Sequence, residues 1–230
     1  MIMQSFIGKV LEKEDLTPDV IRFTITSPTG FSFKAGQFVN LMIKKDGVRK
    51  PRSYSILDSS SDGERFHLVI KLIENGFASK VFKETKVGDE FEVKGPLGHF
   101  IFDEKSENKE NWFIGCSCGL VPLYSMITAN LEKFPGKKFY LVFSVKTKKD
   151  LILHDELRKM EQNNANFIYI PTLTREEWEG KSGRVQKHFP NNLKNKTFYI
   201  CGIKELVIDV KEYLLDNGVD SKNIKFERYS

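Results

Sequence analysis

The sequence predicts two domains, an antiparallel β-barrel followed by an α/β domain with a parallel sheet. Three observations lead to this fold class. The N-terminal part consists of short alternating apolar runs separated by turn residues. An almost purely polar segment, 103–111, then interrupts the apolar pattern and is typical of a domain boundary. Beyond it, short apolar runs alternate with stretches of helical spacing.

The first domain, predicted over residues 1–103, is expected to be the barrel. Its clearest strand patterns are 20–26, 38–43, 66–71 and 91–93. Proline and glycine residues lie between these patterns, at Pro18, Gly30, Gly36, Gly47, Gly63 and Gly88. Several short strands at this spacing, each followed by a turn signal, are typical of an all-β barrel or sandwich. A charged turn at 44–47 is expected to lead into one more strand.

The second domain, predicted over residues 104–230, alternates between strands and helices. The predicted strands are 112–114, 139–143, 166–170, 197–200 and 224–227. The predicted helices are 121–134, 151–161 and 205–216. Alternation of this kind favours a parallel sheet with helices on both faces, the architecture of many nucleotide-binding domains.

Composition narrows the classes of function. The chain has 230 residues, 40% hydrophobic and 29% charged, as in an ordinary globular protein. No apolar run approaches the roughly 20 residues that span a bilayer, and no signal peptide is apparent, so we expect a cytoplasmic protein without a membrane span. Three cysteines agree with a reducing compartment, and neither an iron–sulfur cluster nor another metal site is expected. A dispersed net charge of +5 argues against nucleic acid and favours an acidic protein or a phosphorylated cofactor as partner.

Arg52-Ser53-Tyr54-Ser55, at the edge of a predicted strand, is the most informative short segment. It offers a fixed cation, a flat aromatic ring and two hydroxyl groups side by side. Arginine pairs with phosphate through its planar guanidinium group, and tyrosine stacks on ring systems. The set suits a flat, anionic ligand such as a flavin nucleotide. The alternative is an exposed turn followed by an ordinary strand, and four residues alone do not decide between the two.

Further motifs occur in order along the chain. They are Gly36-Gln37-Phe38, Val69-Ile70-Lys71, Gly76-Phe77-Ala78-Ser79, Gly95-Pro96-Leu97-Gly98, Gly115-Cys116-Ser117-Cys118-Gly119-Leu120-Val121-Pro122, Tyr199-Ile200-Cys201-Gly202 and Phe226-Glu227-Arg228-Tyr229. With the tetrapeptide at 52–55, they make the chain resemble the ferredoxin–NADP⁺ reductase superfamily, and within it the small bacterial-type ferredoxin or flavodoxin reductases. The resemblance extends over essentially the whole chain.

The resemblance implies that the barrel binds FAD. Tyr54 would lie against the isoalloxazine ring, Arg52 would bind phosphate, and Ser55 would approach the reactive ring nitrogen. The remaining residues implied at this site are Ser53, Val69, Ile70, Lys71, Gly76, Phe77, Ala78 and Ser79. The stretch 76–79 would hold the pyrophosphate through backbone N–H groups at the start of a helix. FAD is expected over FMN only because of the resemblance.

The resemblance also implies that the second domain binds a pyridine nucleotide. Gly115, Cys118, Gly119 and Pro122 occupy the position of the family's glycine-rich loop. Ser117 stands where the family usually has a glycine, and its side chain would keep a pyrophosphate further from the backbone. The cysteines of this loop are interpreted as small thiols that fill space, with a redox role as the alternative.

Thr174 and Arg175 follow a predicted strand at the point where NADP-using relatives hold the 2′-phosphate. Lys146 would add a second cation. We therefore expect NADP(H) as substrate, with NAD(H) possible. The alternative is that Arg175 begins a solvated helix beside Glu176 and Glu177.

The implied reaction is hydride transfer between nicotinamide and flavin, then single-electron exchange with a ferredoxin- or flavodoxin-like carrier. Ser55, Cys201 and Glu227 are the residues expected to act in catalysis. Cys201 would form, with Gly202, a wall beside the nicotinamide, and Glu227 would supply charge or a proton. Glu227 could equally be an exposed carboxylate at the end of a strand, without a role at the site. Tyr229 corresponds to the family's terminal aromatic residue, although Ser230 follows it.

Two other functions stay open at this level. One is a reductase that uses free flavin as its substrate, and the other is an electron-relay subunit without catalysis of its own. Relay subunits often carry a C-terminal cysteine cluster that this sequence lacks. The sequence leaves open the electron partner, the direction of electron flow and the oligomeric state.

Overall fold

A computed structural model describes residues 3–60 and 64–229. Gly63 and Ser230, which entered the sequence analysis, lie outside the described residues. The chain divides into two compact units, the first ending at Phe102 and the second beginning at Asp103.

The first unit is a six-stranded antiparallel barrel, as predicted. Its elements are β1 (Gln4–Thr17), β2 (Val20–Thr26), β3 (Phe38–Lys45), β4 (Val48–Ser55), β5 (Arg65–Lys71), α1 (Phe77–Glu84) and β6 (Glu90–Leu97). The strands pair in the order β4-β3-β6-β1-β2-β5. A bridge between Ile56 and Leu68 joins the end of β4 to β5, so the sheet curls round on itself. Closure of this kind leaves few unpaired backbone groups at the sheet edges.

Apolar side chains from alternating strand positions fill the barrel. Phe23, Phe31, Phe66 and Phe82 are almost completely buried and lie in one cluster with aliphatic side chains from every strand except β4. Phe82 belongs to α1, so the helix packs onto the same core as the strands. The position of α1 is therefore fixed by the burial of apolar surface.

The β3–β4 hairpin fixes the register of the tetrapeptide at 52–55. Asp46 and Gly47, the two turn residues, both have positive φ angles, 50° and 72°. A two-residue turn with this geometry matches the right-handed twist of the strands that it joins. The resulting register pairs Lys45 with Val48 and Phe38 with Ser55.

The second unit is a parallel sheet with helices, again as predicted. Its strands are β7 (Glu110–Cys116), β8 (Lys138–Val145), β9 (Phe167–Leu173), β10 (Lys181–Ser182), β11 (Lys196–Ile203) and β12 (Ile224–Tyr229). Its helices are α2 (Leu120–Asn130), α3 (His154–Asn163) and α4 (Lys204–Asp216). The strand order is β10-β9-β8-β7-β11-β12. In the sheet, β8, β9 and β10 therefore lie on one side of β7, and β11 and β12 lie on the other side.

Helices cover both faces of this sheet. Trp112 and Ile114 of β7 pack with α4 side chains in one cluster. The opposite face of β7 carries Gly115, where an added Cβ would lie 2.8 Å from Leu123 of α2. Because the direction of winding reverses between β7 and β11, their carboxyl ends border a crevice of the type in which open α/β sheets bind ligands.

Two further features of the described ranges bear on function. None of the helices within 3–60 and 64–229 is both long and apolar enough to cross a membrane. In the same ranges, no three histidine, cysteine, aspartate or glutamate side chains come together in a way that could hold a metal ion.

Candidate cofactor-binding sites

One face of β4 presents Lys50, Arg52 and Tyr54, because alternate residues of a strand point to the same side. The Tyr54 ring packs edge-on against Phe82, with centroids 5.4 Å apart and planes at 78°. The Arg52 guanidinium lies over the Phe77 ring, 6.0 Å from its centroid. Both contacts involve α1, so the helix orients the two side chains.

The N-terminus of α1 is open to an anion. Gly76 precedes the helix without a side-chain cap, and the first turn contains no acidic residue. The first backbone N–H groups of a helix have no partners within it and carry partial positive charge. A Cβ at Gly76 would lie 2.9 Å from Ser79 Oγ and 3.0 Å from the Ile73 carbonyl oxygen. Glycine therefore allows the chain to turn closely into α1 at this position.

The other predicted flavin-site residues of β4 and α1 are either hydrogen-bonded within the protein or largely buried. Ser53 points away from the Tyr54 face, and its hydroxyl donates to Asn40 Oδ1 at 2.7 Å. Ser79 accepts a hydrogen bond from the Ile73 N–H at 2.8 Å and is nearly buried. Ser55 is also nearly buried, at the last position of β4. Ala78 is half-buried in the first turn of α1, behind Phe77.

The stretch 69–71 offers mainly its backbone. Val69 and Ile70 are buried. Lys71 Nζ forms an ion pair with Asp19 Oδ2 at 2.6 Å. Burial alone would raise the pKa of Asp19, but the hydrogen bond and charge of Lys71 hold it below its usual value. The charge of Lys71 is therefore already balanced by a carboxylate.

The glycine-rich loop lies at the crevice between β7 and β11. Residues 117–119 form a short 3₁₀ turn that leads into α2, with Pro122 buried in the first turn of the helix. A Cβ at Gly119 would collide with the carbonyl oxygen of Cys201, so only glycine allows this approach of the loop to β11. Ser117 takes the left-handed conformation, with φ 51°, that glycine adopts without strain. The structure thus brings Gly115, Cys118, Gly119, Cys201 and Gly202 together at one crevice.

Cys116, Cys118 and Cys201 form no disulfide bond with a described residue, and the last two are buried. Burial raises the pKa of Cys116. It raises the pKa of Cys201 well above its usual value, with a further contribution from the charge of Glu227. The Tyr229 hydroxyl donates a hydrogen bond to the Cys201 sulfur, which only partly offsets these effects. Cys201 is therefore a neutral thiol at neutral pH and a poor nucleophile.

Glu227 lies directly beside Cys201, since β11 and β12 pair these residues. Burial raises the pKa of the Glu227 carboxyl group to about 7. A carboxyl group with this pKa can hold or release a proton near neutral pH. The strands β11 and β12 follow one another along the chain with α4 between them, so this neighbourhood depends on their parallel pairing and not on a local pattern.

Lys146 and Arg175 lie just beyond the ends of β8 and β9, where their backbones are hydrogen-bonded to each other. The Arg175 N–H donates to the Lys146 carbonyl oxygen at 2.9 Å, and Thr174 donates through both its N–H and its hydroxyl to the Val145 carbonyl oxygen. Lys146, Thr174 and Arg175 are all exposed. Residues 174–176 form a bend, so Arg175 does not begin a helix, which was the alternative considered for it.

Two of the acidic residues after Arg175, Glu176 and Glu179, bind Lys148, the first through its backbone and the second through its ammonium group. Glu176 accepts the Lys148 N–H at 2.8 Å, and Glu179 pairs with Lys148 Nζ at 3.0 Å. Within the described ranges, neither Arg175 nor Lys146 has a carboxylate partner. Both cations are thus available to a phosphate.

Two family models match the chain. The model described as "Oxidoreductase FAD-binding domain" matches residues 8–102, and the one described as "Oxidoreductase NAD-binding domain" matches residues 113–212. Ferredoxin–NADP reductase B of Sorangium cellulosum is 28% identical over 240 residues, which cover 98% of each chain. NADH–cytochrome b5 reductase 1 of Arabidopsis thaliana is 32% identical over 210 residues, covering 84% of this chain and 73% of the relative. The chain belongs to the ferredoxin–NADP⁺ reductase superfamily.

A solved structure of another member of this superfamily agrees in fold and cofactors. The ferredoxin NADP⁺ reductase from Neisseria gonorrhoeae, solved with bound FAD and NADP, superposes with a TM-score of 0.87 at 25% identity and covers 97% of this chain and 98% of its own. The predicted family, fold class and cofactors are confirmed. This superfamily member is an FAD- and NAD(P)-binding oxidoreductase, an NAD(P)H-dependent flavoprotein reductase.

Members of the superfamily bear names that refer to different electron partners. The Phenol hydroxylase P5 protein of Acinetobacter pittii is 27% identical, and the chain covers 66% of that relative's length. Ferredoxin, a phenol hydroxylase and cytochrome b5 thus all appear in the names of relatives. Family membership alone does not select among them.

The residues of this superfamily member fit both nucleotides. The open N-terminus of α1 and the guanidinium of Arg52 suit a diphosphate, and the half-buried Tyr54 ring offers an apolar surface for a flat ring system. In the second unit, Gly119 allows a tight loop, and the exposed Arg175 is a cation with no carboxylate partner in the described part of the chain. Lys50 lies on the same face of β4 as Arg52, because it is two residues away along the strand.

Proposed function

We propose that this protein is an NADPH-dependent reductase of a ferredoxin- or flavodoxin-like carrier, with FAD held by its barrel domain. When bound, FAD accepts two electrons from the pyridine nucleotide and passes them on singly. The observation that carries the choice of NADPH is the pair of exposed cations, Lys146 and Arg175, on adjacent strand ends. Two cations without carboxylate partners among the described residues suit the 2′-phosphate that distinguishes NADPH from NADH.

The proposed carrier rests on two supporting observations. The match to a protein named ferredoxin–NADP reductase extends over 98% of both chains. The net charge of +5 favours association with an acidic protein, because opposite charges accelerate encounter at low ionic strength.

In this proposal, the barrel residues bind and orient the flavin. Tyr54 stacks on the ring system, with its own position maintained by Phe82. Arg52 and the N–H groups at the start of α1 bind the diphosphate. Ser55, at the end of β4, offers a hydroxyl group to the reactive ring nitrogen.

Residues of the second domain act at the nicotinamide. The loop at Gly119 and the end of β11 at Gly202 allow the close backbone approach that the nucleotide needs. Cys201 serves as a neutral, polarizable wall, because burial keeps it a thiol. Glu227, with a pKa of about 7, exchanges a proton near the site.

The test begins with an absorbance spectrum of the purified protein, followed by anaerobic titration with NADPH and with NADH. We expect a yellow protein whose flavin absorbance bleaches with NADPH at lower concentrations than with NADH. Adding an oxidised ferredoxin or flavodoxin to the reduced protein should restore the flavin absorbance.

Three outcomes would contradict parts of the proposal. A colourless protein that reduces only added flavin would indicate a free-flavin reductase. Equal bleaching by the two nucleotides would remove the preference for NADPH. Failure to reoxidise with either carrier, while a chemical acceptor still works, would exclude the proposed partner.

A further inference from the structure

Two cations share one aromatic ring beside the start of α1. Lys50 Nζ lies 5.5 Å from the centroid of the Phe77 ring, and the Arg52 guanidinium lies 6.0 Å from the same centroid. Phe77 is the first residue of α1. Two positive side chains therefore lie against the helix end that itself carries partial positive charge.

In the described ranges, neither cation of this cluster forms an ion pair with a carboxylate. The first turn of α1 contains no acidic residue. Carboxylates near the hairpin are engaged elsewhere, since Glu92 pairs with Arg49 at 2.7 Å and Glu84 lies 4.0 Å from Lys45. Among the described residues, neither Lys50 nor Arg52 has a carboxylate within ion-pair distance. Like charges that converge without a counter-ion indicate a place for an anionic ligand.

The order of side chains along β4 distinguishes between two flavins. Tyr54, Arg52 and Lys50 follow one another on one face, at steps of roughly 6.6 Å set by the rise of a strand. FMN consists of the ring system, a ribityl chain and one phosphate, whereas FAD continues with a second phosphate and adenosine. Tyr54 accounts for the ring system that both flavins share, and Arg52 with the start of α1 accounts for the diphosphate, of which FMN has only the first phosphate. A cation one step further along lies where only FAD continues.

We propose that Lys50 binds the adenylate half of FAD, and is thereby a residue that makes this protein select FAD over FMN. The inference rests on the proposed flavin site of the barrel and adds to it a residue that discriminates between the two flavins. The contact with Phe77 orients the lysine toward the helix N-terminus, where its ammonium group meets the second phosphate.

The test is calorimetric titration of flavin-free protein with FAD and, separately, with FMN. We expect Lys50→Met to raise the Kd for FAD roughly tenfold, the loss of one charge-assisted contact, and to change the Kd for FMN less than about twofold. Lys50→Arg should retain most of the affinity for FAD. Lys44→Met is the matched control, because Lys44 is exposed on the same hairpin and has neither an aromatic ring nor a carboxylate as a partner among the described residues.

The outcomes separate this inference from the function on which it rests. Wild-type protein that binds neither flavin would contradict the proposed flavin site itself. Wild-type protein that binds FAD, with Lys50→Met weakening neither flavin or both equally, would overturn the role of Lys50 alone. An equal loss in Lys44→Met would also overturn it, since the effect would then come from the general charge of the hairpin.

Discussion

The side chain of Glu227 gives the folded protein a pH dependence near neutrality. Burial beside Cys201 raises the pKa of this carboxyl group from its ordinary value of 4.5 to about 7. Between those two values the folded state holds a proton that the unfolded chain has released. The free energy of unfolding should therefore fall as the pH rises from 4.5 through 7.

We expect Glu227→Gln to remove this decline, because the amide does not ionise. Urea unfolding should give similar stabilities for wild type and variant near pH 4.5. At pH 8 the variant should be more stable by about 1–3 kcal/mol. A difference that stays constant with pH would mean that the carboxyl group is solvated at the strand end, the alternative that the sequence left open.

Asn111 carries a buried amide on β7. It is fully buried, and neither its Nδ2 nor its Oδ1 has a hydrogen-bond partner among the residues that the structure describes. Since an unpaired buried polar group costs free energy, Asn111→Leu should raise the free energy of unfolding by about 1–3 kcal/mol. The control is Asn130→Leu, which should lower it, because Asn130 Nδ2 donates to the Met126 carbonyl oxygen at 2.7 Å. Destabilisation of the Asn111 variant would indicate a buried water bound to the amide.

We expect Arg175 to make the protein bind NADPH in preference to NADH. Its guanidinium is exposed and lacks a carboxylate partner in the described part of the chain. Arg175→Ala should raise KM for NADPH at least about tenfold and change KM for NADH little, measured with the same electron acceptor. Lys148→Ala should affect neither, because Glu179 already neutralises that lysine at 3.0 Å. Equal effects of Arg175→Ala on both nucleotides would exclude contact with the 2′-phosphate.

The sequence predicted the surroundings of some site residues and not of others. The chemistry of Arg52 and Tyr54 was apparent from their types and from the hairpin that carries them. The hydroxyl of Ser53 was expected beside them, but strand alternation turns it to the opposite face, where it bonds to Asn40. The contact between Glu227 and Cys201 depends on the register in which β11 pairs with β12, and the sequence placed the two residues at one site only through the family resemblance.

At the scale of the elements, the C-terminal end of the helix α1 is bound by a lysine of the strand β1. Lys13 Nζ of β1 donates to the carbonyl oxygens of Phe82, Lys83 and Thr85, at 3.1, 2.9 and 2.9 Å. These carbonyls at the C-terminal end of the helix have no intrahelical donor and carry partial negative charge. A single ammonium group thus satisfies the end of α1 and attaches it to the barrel.

Lys13→Met should lower the free energy of unfolding by about 1–3 kcal/mol, because it leaves these carbonyls without a charged donor. Chemical unfolding monitored by circular dichroism measures the loss. Lys9→Met is a suitable control, since Lys9 is exposed on the same strand. Equal stabilities of the two variants would mean that water replaces the lysine at no cost.

Elements were predictable where their local pattern was strong. The strand at Val20–Thr26 has the predicted bounds, and its burial is nearly continuous. In contrast, β1 was not predicted, because its 14 residues are mostly polar and only Gly8 and Val10 are buried. The helix predicted at 151–161 begins instead at His154, because Leu153 takes a left-handed conformation with φ 53°. The bounds of such elements depend on strand pairing and on backbone turns, which cannot be predicted from hydrophobic spacing alone.

For the whole molecule, two separate cores imply two separable binding functions. Each unit buries its own apolar cluster, and each carries one of the cations proposed to bind a phosphate, Arg52 in the first and Arg175 in the second. Because the two cations belong to different compact units, a change at one should leave the structure and ligand affinity of the other intact.

A crossed pair of variants tests this independence. Arg52→Ala combined with Tyr54→Ala should give colourless protein that is still retained on a 2′,5′-ADP affinity resin, because the 2′-phosphate contacts lie in the second unit. Arg175→Ala should give the reverse, a yellow protein that the resin no longer retains. Both losses together in either variant would mean that the two nucleotides bind as one coupled unit. Retention of stoichiometric flavin by the double variant would contradict the assignment of β4 as the flavin strand.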